Sequence, residues 1–124
     1  MDNLFYMCEI TKIPHYINYF KHKDLEVGKP FCLSSAVRIY GKEAIPAEQG
    51  IYHFFYHGRL VYIGMSKNLR KRLLYHMKDP NMIFDAVLWF ALPDKPLSYI
   101  LEREAKLIKT FEPPLNTAHL CCNY

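Results

Sequence analysis

The sequence lacks the features that direct a chain to a membrane, a secretory route or a structural zinc site. No apolar run approaches the roughly 20 residues needed to cross a bilayer, and no basic segment followed by an apolar one marks the amino terminus as a secretory signal. None of the four cysteines, Cys8, Cys32, Cys121 and Cys122, belongs to a C-x2-C pair. A metal site at Cys121, Cys122 and His119 would need one more ligand. We therefore expect a cytoplasmic protein with reduced thiols and no membrane partner.

An excess of one charge sign is also nearly absent. The 124 residues, 51% of them hydrophobic, carry a formal charge of +4 and are long enough for one domain with a single core. This mild charge permits a nucleic-acid partner without requiring one. Its distribution is more informative, because basic residues crowd one segment: Lys67, Arg70, Lys71, Arg72 and Lys78. Taken alone, a basic helix is more often a solvated face than a binding site.

Residues 50–76 carry the clearest structural pattern in the chain. Ile51–Tyr56 and Leu60–Ile63 are rich in β-branched and aromatic residues and flank a turn that ends at Gly58. This pattern predicts a β-hairpin.

The length of that turn decides whether Tyr52 and Tyr62 share one face of the sheet. If His57 and Gly58 alone form a type I′ turn, the two tyrosines point to opposite sides. If the loop also includes Tyr56, with Gly58 in the left-handed conformation that closes a bulged turn, Tyr52 lies opposite Tyr62 and both face one side. We predict the second register, because it gathers both phenols beside the helix that follows.

A helix is predicted directly after the hairpin. Gly64 is expected to end the second strand, Ser66 to cap the helix and Lys67–Met77 to form it. Arg72 and His76 lie four residues apart, so both side chains project from one face of this helix.

The first 49 residues are the least readable part. They are predicted to pack on the core as structural cover, with a short helix that ends at Gly41. Scattered lysines are usual on protein surfaces, but a second DNA contact is the alternative, through Lys12, Lys21, Lys23 and Lys29.

Beyond the basic helix, Asp85–Leu92 is an apolar run typical of a central strand, and Ser98–Phe111 is predicted to be a helix. Glu104 lies four residues after Ile100 and four before Ile108, within the apolar stripe of that helix. A carboxylate in this place is costly unless it is paired or binds a cation. A glutamate that reaches solvent from the edge of the stripe is an equally open interpretation.

The order Gly50-Ile51-Tyr52, then Tyr62-Ile63-Gly64, then an arginine in the next helix resembles the GIY-YIG nuclease family. The pattern of that family continues with His or Tyr one turn after the arginine, a metal-binding Glu on a later helix and an Asn about a dozen residues on. Matching residue types follow here at Arg72, His76, Glu104 and Asn116. The resemblance covers about residues 46–118. It departs from the excision-repair branch at Met65, where that branch has Lys, and Lys67 or His53 could replace this cation.

The resemblance implies an α/β (α+β) fold with a small three-stranded antiparallel sheet flanked by helices. The length and composition of the chain predict one domain over residues 1–124, in which residues 1–49 are an amino-terminal extension packed on the core. The implied activity is that of a divalent-metal-dependent DNA endonuclease that uses Mg²⁺ or Mn²⁺ and cuts one strand per active site. A double-strand break would then need a homodimer or two sequential nicks. The alternatives are a catalytically inactive nucleic-acid-binding module on the same fold and a structural or partner-binding protein.

The implied roles of two charged residues agree with their chemistry. The fork geometry of Arg72 suits phosphate oxygens. Glu104 is a hard oxygen ligand, and Mg²⁺ is commonly held by one carboxylate, waters and substrate phosphate. The predicted nucleic-acid contacts are Lys67, Arg70 and Lys71.

The resemblance also assigns a general base to one of the motif tyrosines. A free phenol has a pKa of about 10, and a guanidinium and a metal nearby are expected to favour the phenolate. We expect Tyr52 to be the base and Tyr62 its hydrogen-bonding partner, although the reverse assignment stays open. His76 is a candidate for hydrogen bonding or proton transfer. Asn116 is expected to fix Glu104 or the loop after its helix.

Overall fold

The computed structural model of the protein describes residues 30–116. The elements in chain order are α1 (Leu33–Tyr40), a 3₁₀ turn (Lys42–Ala44), β1 (Gly50–Tyr56), β2 (Arg59–Ser66), α2 (Leu69–Met77), β3 (Ala86–Ala91) and α3 (Leu97–Phe111). The strands form one antiparallel sheet in the order β2-β1-β3. The predicted fold class, a small three-stranded antiparallel sheet flanked by helices, is confirmed. Predictions for residues 1–29 and for the tail, including the metal site at His119, Cys121 and Cys122, lie outside the described residues.

Both faces of the sheet are covered, because side chains alternate along each strand. One face forms a core layer with α3 through Ile51, Phe55, Ile63, Leu88, Phe90, Ile100 and Leu107. The other forms a second layer with α1 and α2 through Leu33, Tyr52, Phe54, Leu69, Leu73, Val87 and Trp89. Coverage on both sides explains why β3 is apolar throughout and does not alternate with polar residues. Among residues 30–116, no helix has the length and apolar character to span a bilayer.

The segment before the hairpin joins this second layer. Phe31 extends the free edge of β3 by two backbone hydrogen bonds with Val87, of 3.1 and 2.8 Å. Helix α1 ends at Gly41, as predicted, and this glycine has a φ of 83°. Ile45 is buried in the same layer, so residues 31–45 hold the side of the sheet on which α2 lies.

The turn of the hairpin differs from the predicted one. His57 and Gly58 have φ of 51° and 79° and form a two-residue turn, in which the His57 N–H donates to Asp85 Oδ2 at 3.0 Å. The predicted three-residue loop and the pairing of Tyr52 with Tyr62 are wrong, because Tyr52 pairs with Gly64.

A β-bulge in β2 places Tyr52 and Tyr62 on the same face of the sheet, as predicted. Phe55 pairs with Leu60 while Phe54 pairs with Tyr62, so Val61 is an extra residue on β2. The bulge returns Tyr62 to the side of the sheet that carries Tyr52. The two phenols are therefore diagonal neighbours on one face.

The passage from β2 to α2 also differs in detail from the sequence prediction. Gly64 does not end the strand, which continues to Ser66, and Ser66 does not cap the helix. The cap is Asn68, whose side chain accepts the Lys71 backbone N–H at 3.1 Å. Ser66 instead bonds the Asn68 backbone in both directions, at 2.9 and 3.0 Å, and so fixes the turn before α2.

Candidate active site

Two motif glycines allow close approaches that position the site. A Cβ on Gly64 would lie 2.5 Å from both Cζ and the hydroxyl oxygen of Tyr52, so the phenol rests directly on this glycine. A Cβ on Gly50 would collide with the Phe90 carbonyl oxygen and lie 2.8 Å from Leu69 Cδ1. Gly50 therefore lets β3 and α2 approach β1, and Gly64 leaves the space that the Tyr52 ring fills.

The Tyr52 hydroxyl lies at the centre of a group of three rings. Its oxygen is 3.1 Å from Nε2 of His76 on the last turn of α2, and the two residues are only 2% and 6% exposed. The Tyr62 ring is 6.2 Å from the Tyr52 ring and 6.3 Å from the His76 ring, measured between centroids. Side chains from β1, β2 and α2 thus meet at one buried hydroxyl.

The charges around this hydroxyl act in opposite directions on its pKa. Burial is the largest influence and raises the pKa of Tyr52, and Tyr62 raises it further. The Arg72 guanidinium lowers the pKa, whereas the Glu104 carboxylate raises it. The guanidinium favours the phenolate, as expected, but burial outweighs this influence and leaves the pKa of Tyr52 raised. The same balance indicates that Arg72 and Glu104 are both close enough to act on Tyr52.

Glu104 reaches the site from α3, which packs on the opposite face of the sheet and contacts β2. Burial raises the pKa of its carboxyl group to about 6, and no cation among residues 30–116 counters that rise. Within this range no three His, Cys, Asp or Glu side chains cluster as a metal site. The Glu104 carboxylate is a hard oxygen donor, of the kind that holds a divalent cation together with waters and substrate oxygens.

An open cavity of about 610 Å³ lies against the exposed side of α2. Arg72, Lys67 and Lys71 line it, so the structure brings the predicted arginine together with two of the predicted nucleic-acid contacts. Arg70 does not line the cavity. Its Nε donates to the Ile45 carbonyl at 2.8 Å, which ties α2 to the segment before the hairpin.

Asn116 is buried beside the outer edge of β2. Its side chain accepts the Ile63 N–H and donates to the Ile63 carbonyl, both at 2.8 Å. β2 is an edge strand, so the amide supplies the two hydrogen bonds that a further strand would supply. Of the two predicted roles, fixing Glu104 or fixing the loop after its helix, these bonds match the second, because they tie the segment after α3 to Ile63.

His53 cannot supply the cation that Met65 lacks. It lies on the face opposite Tyr52, fully buried, with its ring edge-on to Phe90 at 5.2 Å. Burial lowers its pKa to about 3, although a hydrogen bond to the Leu88 backbone acts in the other direction. Lys67 lines the cavity beside Met65 and is the cation that the structure places there.

One residue of this surface is absent from the sequence predictions. Tyr75 lines the same cavity and is 60% exposed. The available signal is an aromatic residue three positions after Arg72 and four after Lys71, on one face of a basic helix.

No protein-family model matches the sequence, but curated proteins and solved structures are similar to part of it. The UvrABC system protein C of Acidothermus cellulolyticus is 31% identical over 81 residues, 58% of this chain, and that of Dictyoglomus thermophilum is 32% identical over 81 residues, 60% of this chain. The chain spans only 13% of the length of these curated relatives.

Two solved structures of the GIY-YIG N-terminal endonuclease domain of UvrC from Thermotoga maritima also align. Both are Tyr→Phe variants bound to the catalytic divalent cation, with TM-scores of 0.50 and identities of 26% and 25%, covering 56% of this chain and 83% of that domain. With the order of motif residues and the three-stranded sheet, these similarities confirm the resemblance to the GIY-YIG nuclease family.

Proposed function

We propose that this protein is a divalent-metal-dependent DNA endonuclease that hydrolyses phosphodiester bonds. The observation that carries the proposal is the buried Tyr52–His76 contact of 3.1 Å at a hydroxyl whose pKa also responds to Arg72 and Glu104. Four elements of the fold contribute to this one point. Such convergence is what a phosphodiester hydrolase needs to activate a nucleophile and stabilise charge on one phosphate.

Tyr52 and His76 are proposed to activate the attacking water together. Neutral His76 accepts the phenolic proton at Nε2 while the phenolic oxygen removes a proton from water. The water oxygen attacks phosphorus, the bond from phosphorus to the leaving sugar oxygen breaks, and that oxygen takes a proton from solvent. Because burial raises the pKa of Tyr52 and keeps its hydroxyl protonated near neutral pH, the phenolic proton moves to His76 only as the proton from water replaces it. Tyr62, beside both rings, would orient the water.

The similar solved domains support this pairing. The tyrosines altered in the two Thermotoga structures are separated along their chain by the 24 residues that also separate Tyr52 from His76. His76 would then take the place that a second tyrosine has in that domain. A histidine titrates closer to neutral pH than a phenol, so it is the better acceptor for a transferred proton.

Phosphate binding and charge stabilisation are assigned to the cavity side of α2. The Arg72 guanidinium would bind two phosphate oxygens, and Lys67 and Lys71 would attract the flanking backbone. Glu104 would hold Mg²⁺ or Mn²⁺, and a bound cation would stabilise negative charge on the phosphate oxygens. With one such site per chain, each copy would cut one strand, and a double-strand break would need a dimer or two nicks.

A plasmid-nicking assay in Mg²⁺ tests the proposal. We expect wild type to convert supercoiled DNA to nicked circles, and Arg72→Ala and Glu104→Gln each to lower the rate about 100-fold or more, because each removes a charge that acts on the transition state. Glu102→Gln is the matched control, since it changes an exposed glutamate on the same helix.

Equal residual nicking by wild type and both variants would refute the enzyme proposal. DNA binding without nicking by wild type would favour the inactive binding module instead. Melting curves of all four proteins must show folded chains before the rates are compared.

A further inference from the structure

Tyr75 is a large aromatic side chain held in solvent beside the proposed phosphate site. It lies on the last turn of α2 and is 60% exposed, while it lines the same 610 Å³ cavity as Lys71 and Arg72. These three side chains share one face of the helix. A cavity of this size lies within the range of about 300–1,000 Å³ that encloses a small ligand such as one nucleotide.

Tyr75 also adjoins the proposed reaction centre. Its ring is 5.5 Å from the His76 ring at an interplanar angle of 61°, and His76 in turn contacts the Tyr52 hydroxyl. A phosphate bound by Arg72 and positioned for attack near Tyr52 would therefore bring its own nucleotide next to Tyr75. The exposed part of the ring is available to that nucleotide.

We propose that Tyr75 stacks on an unpaired nucleobase adjacent to the scissile phosphate, so that the preferred substrate is DNA with a base out of the helical stack at the cleavage site. This inference rests on the proposed endonuclease function and names its substrate class. A base inside a duplex has both faces covered by its neighbours, so an aromatic side chain gains a stacking partner only when a base is unpaired. Stacking of one base on an aromatic residue contributes affinity without selecting the base type.

Fluorescence of 2-aminopurine tests the stacking without any cleavage. The probe is a duplex that carries 2-aminopurine opposite an abasic site, mixed with the full chain in EDTA. We expect wild type and Tyr75→Phe to quench the probe, and Tyr75→Leu to leave it unquenched and bind about 5- to 150-fold more weakly, the range that one stacking contact contributes. Tyr56→Leu is the matched control, since Tyr56 is an exposed tyrosine at the hairpin tip, outside the cavity.

Cleavage kinetics in Mg²⁺ then separate this inference from the proposed function. The Tyr75→Leu loss should appear on DNA with one unpaired base and disappear when that base is replaced by an abasic site. An equal loss on paired, unpaired and abasic DNA, or no loss on any of them, would overturn the stacking inference while leaving the endonuclease intact. Quenching that depends on Tyr75, together with no cleavage of any DNA by wild type, would support the stacking and overturn the endonuclease.

Discussion

Substitution of Gly64 by alanine offers a direct test of how the hairpin positions Tyr52. The new Cβ would lie 2.5 Å from Cζ and from the hydroxyl oxygen of Tyr52, whereas ordinary contacts between such atoms need about 3.5 Å. The phenol must therefore move by about 1 Å. Such a shift breaks the contact with His76, since the present distance is 3.1 Å and a separation near 3.6 Å no longer forms a hydrogen bond.

The displacement should affect catalysis more than folding. We expect Gly64→Ala to lower the nicking rate about 100-fold, the loss typical of a 1 Å misplacement, and to cost about 1–3 kcal/mol of unfolding free energy through overpacking. Single-turnover nicking in Mg²⁺ measures the first effect, and urea unfolding measures the second. Gly58→Ala is the matched control, because its Cβ meets nothing within 4 Å and only its φ of 79° is strained.

A double-substitution cycle isolates the hydroxyl as the cause. If Gly64→Ala acts through the Tyr52 hydroxyl, it should cost little further activity once Tyr52→Phe has removed that hydroxyl. Full activity of Gly64→Ala, or losses that add in the double variant, would refute this explanation.

Three further predictions concern stability. Because burial raises the pKa of Glu104 from 4.5 to about 6, the ionised carboxylate costs stability above pH 6 and not below pH 4.5. Glu104→Gln should therefore stabilise the metal-free domain at pH 7.5 by about 1 kcal/mol after solvent screening. The melting temperature should rise by a few degrees at pH 7.5 and stay unchanged at pH 4, and a lower melting temperature at pH 7.5 would contradict the prediction. The pKa of His53 is lowered from 6.5 to about 3, so the free energy of unfolding should decrease as the pH falls from 6.5 toward 3, by about 2 kcal/mol at pH 5. Urea unfolding of wild type and His53→Leu at pH 7 and pH 5 measures this decrease. Equal pH dependence in both proteins would refute the prediction. Asn116→Ala leaves the N–H and carbonyl of Ile63 without their side-chain partner. We therefore expect the free energy of unfolding to fall by about 2–3 kcal/mol and hydrogen exchange at the Ile63 amide to become faster. Unchanged exchange would show that water replaces the side chain.

Local patterns in the sequence predict most of the scaffold. The aromatic and β-branched runs indicate β1 and β2, and the apolar run at 85–92 gives β3 to within one residue at each end. The basic stretch indicates α2, although its start is two residues later than predicted because Asn68 and not Ser66 caps it. Signals of this kind are predictable because neighbouring residues alone determine them.

Features that depend on distant parts of the chain are the ones that local patterns miss. The extra residue at Val61 has no distinctive side chain, and only the paired strands reveal it. Asn116 acts on Ile63 across 53 positions of sequence, and no local motif encodes that choice of partner. Likewise, the raised pKa of Tyr52 follows from burial between β1 and α2, which exists only after folding.

The attachment of Asn116 to Ile63 also has a consequence for local unfolding. The segment after α3 is joined to the sheet by two hydrogen bonds from one amide, and α3 is the element that carries Glu104. Fraying of this short segment would uncover the edge of β2 beside the phenols, while α3 stays packed on the sheet through Ile100 and Leu107. This edge of the sheet would therefore open at a lower free energy than the domain unfolds.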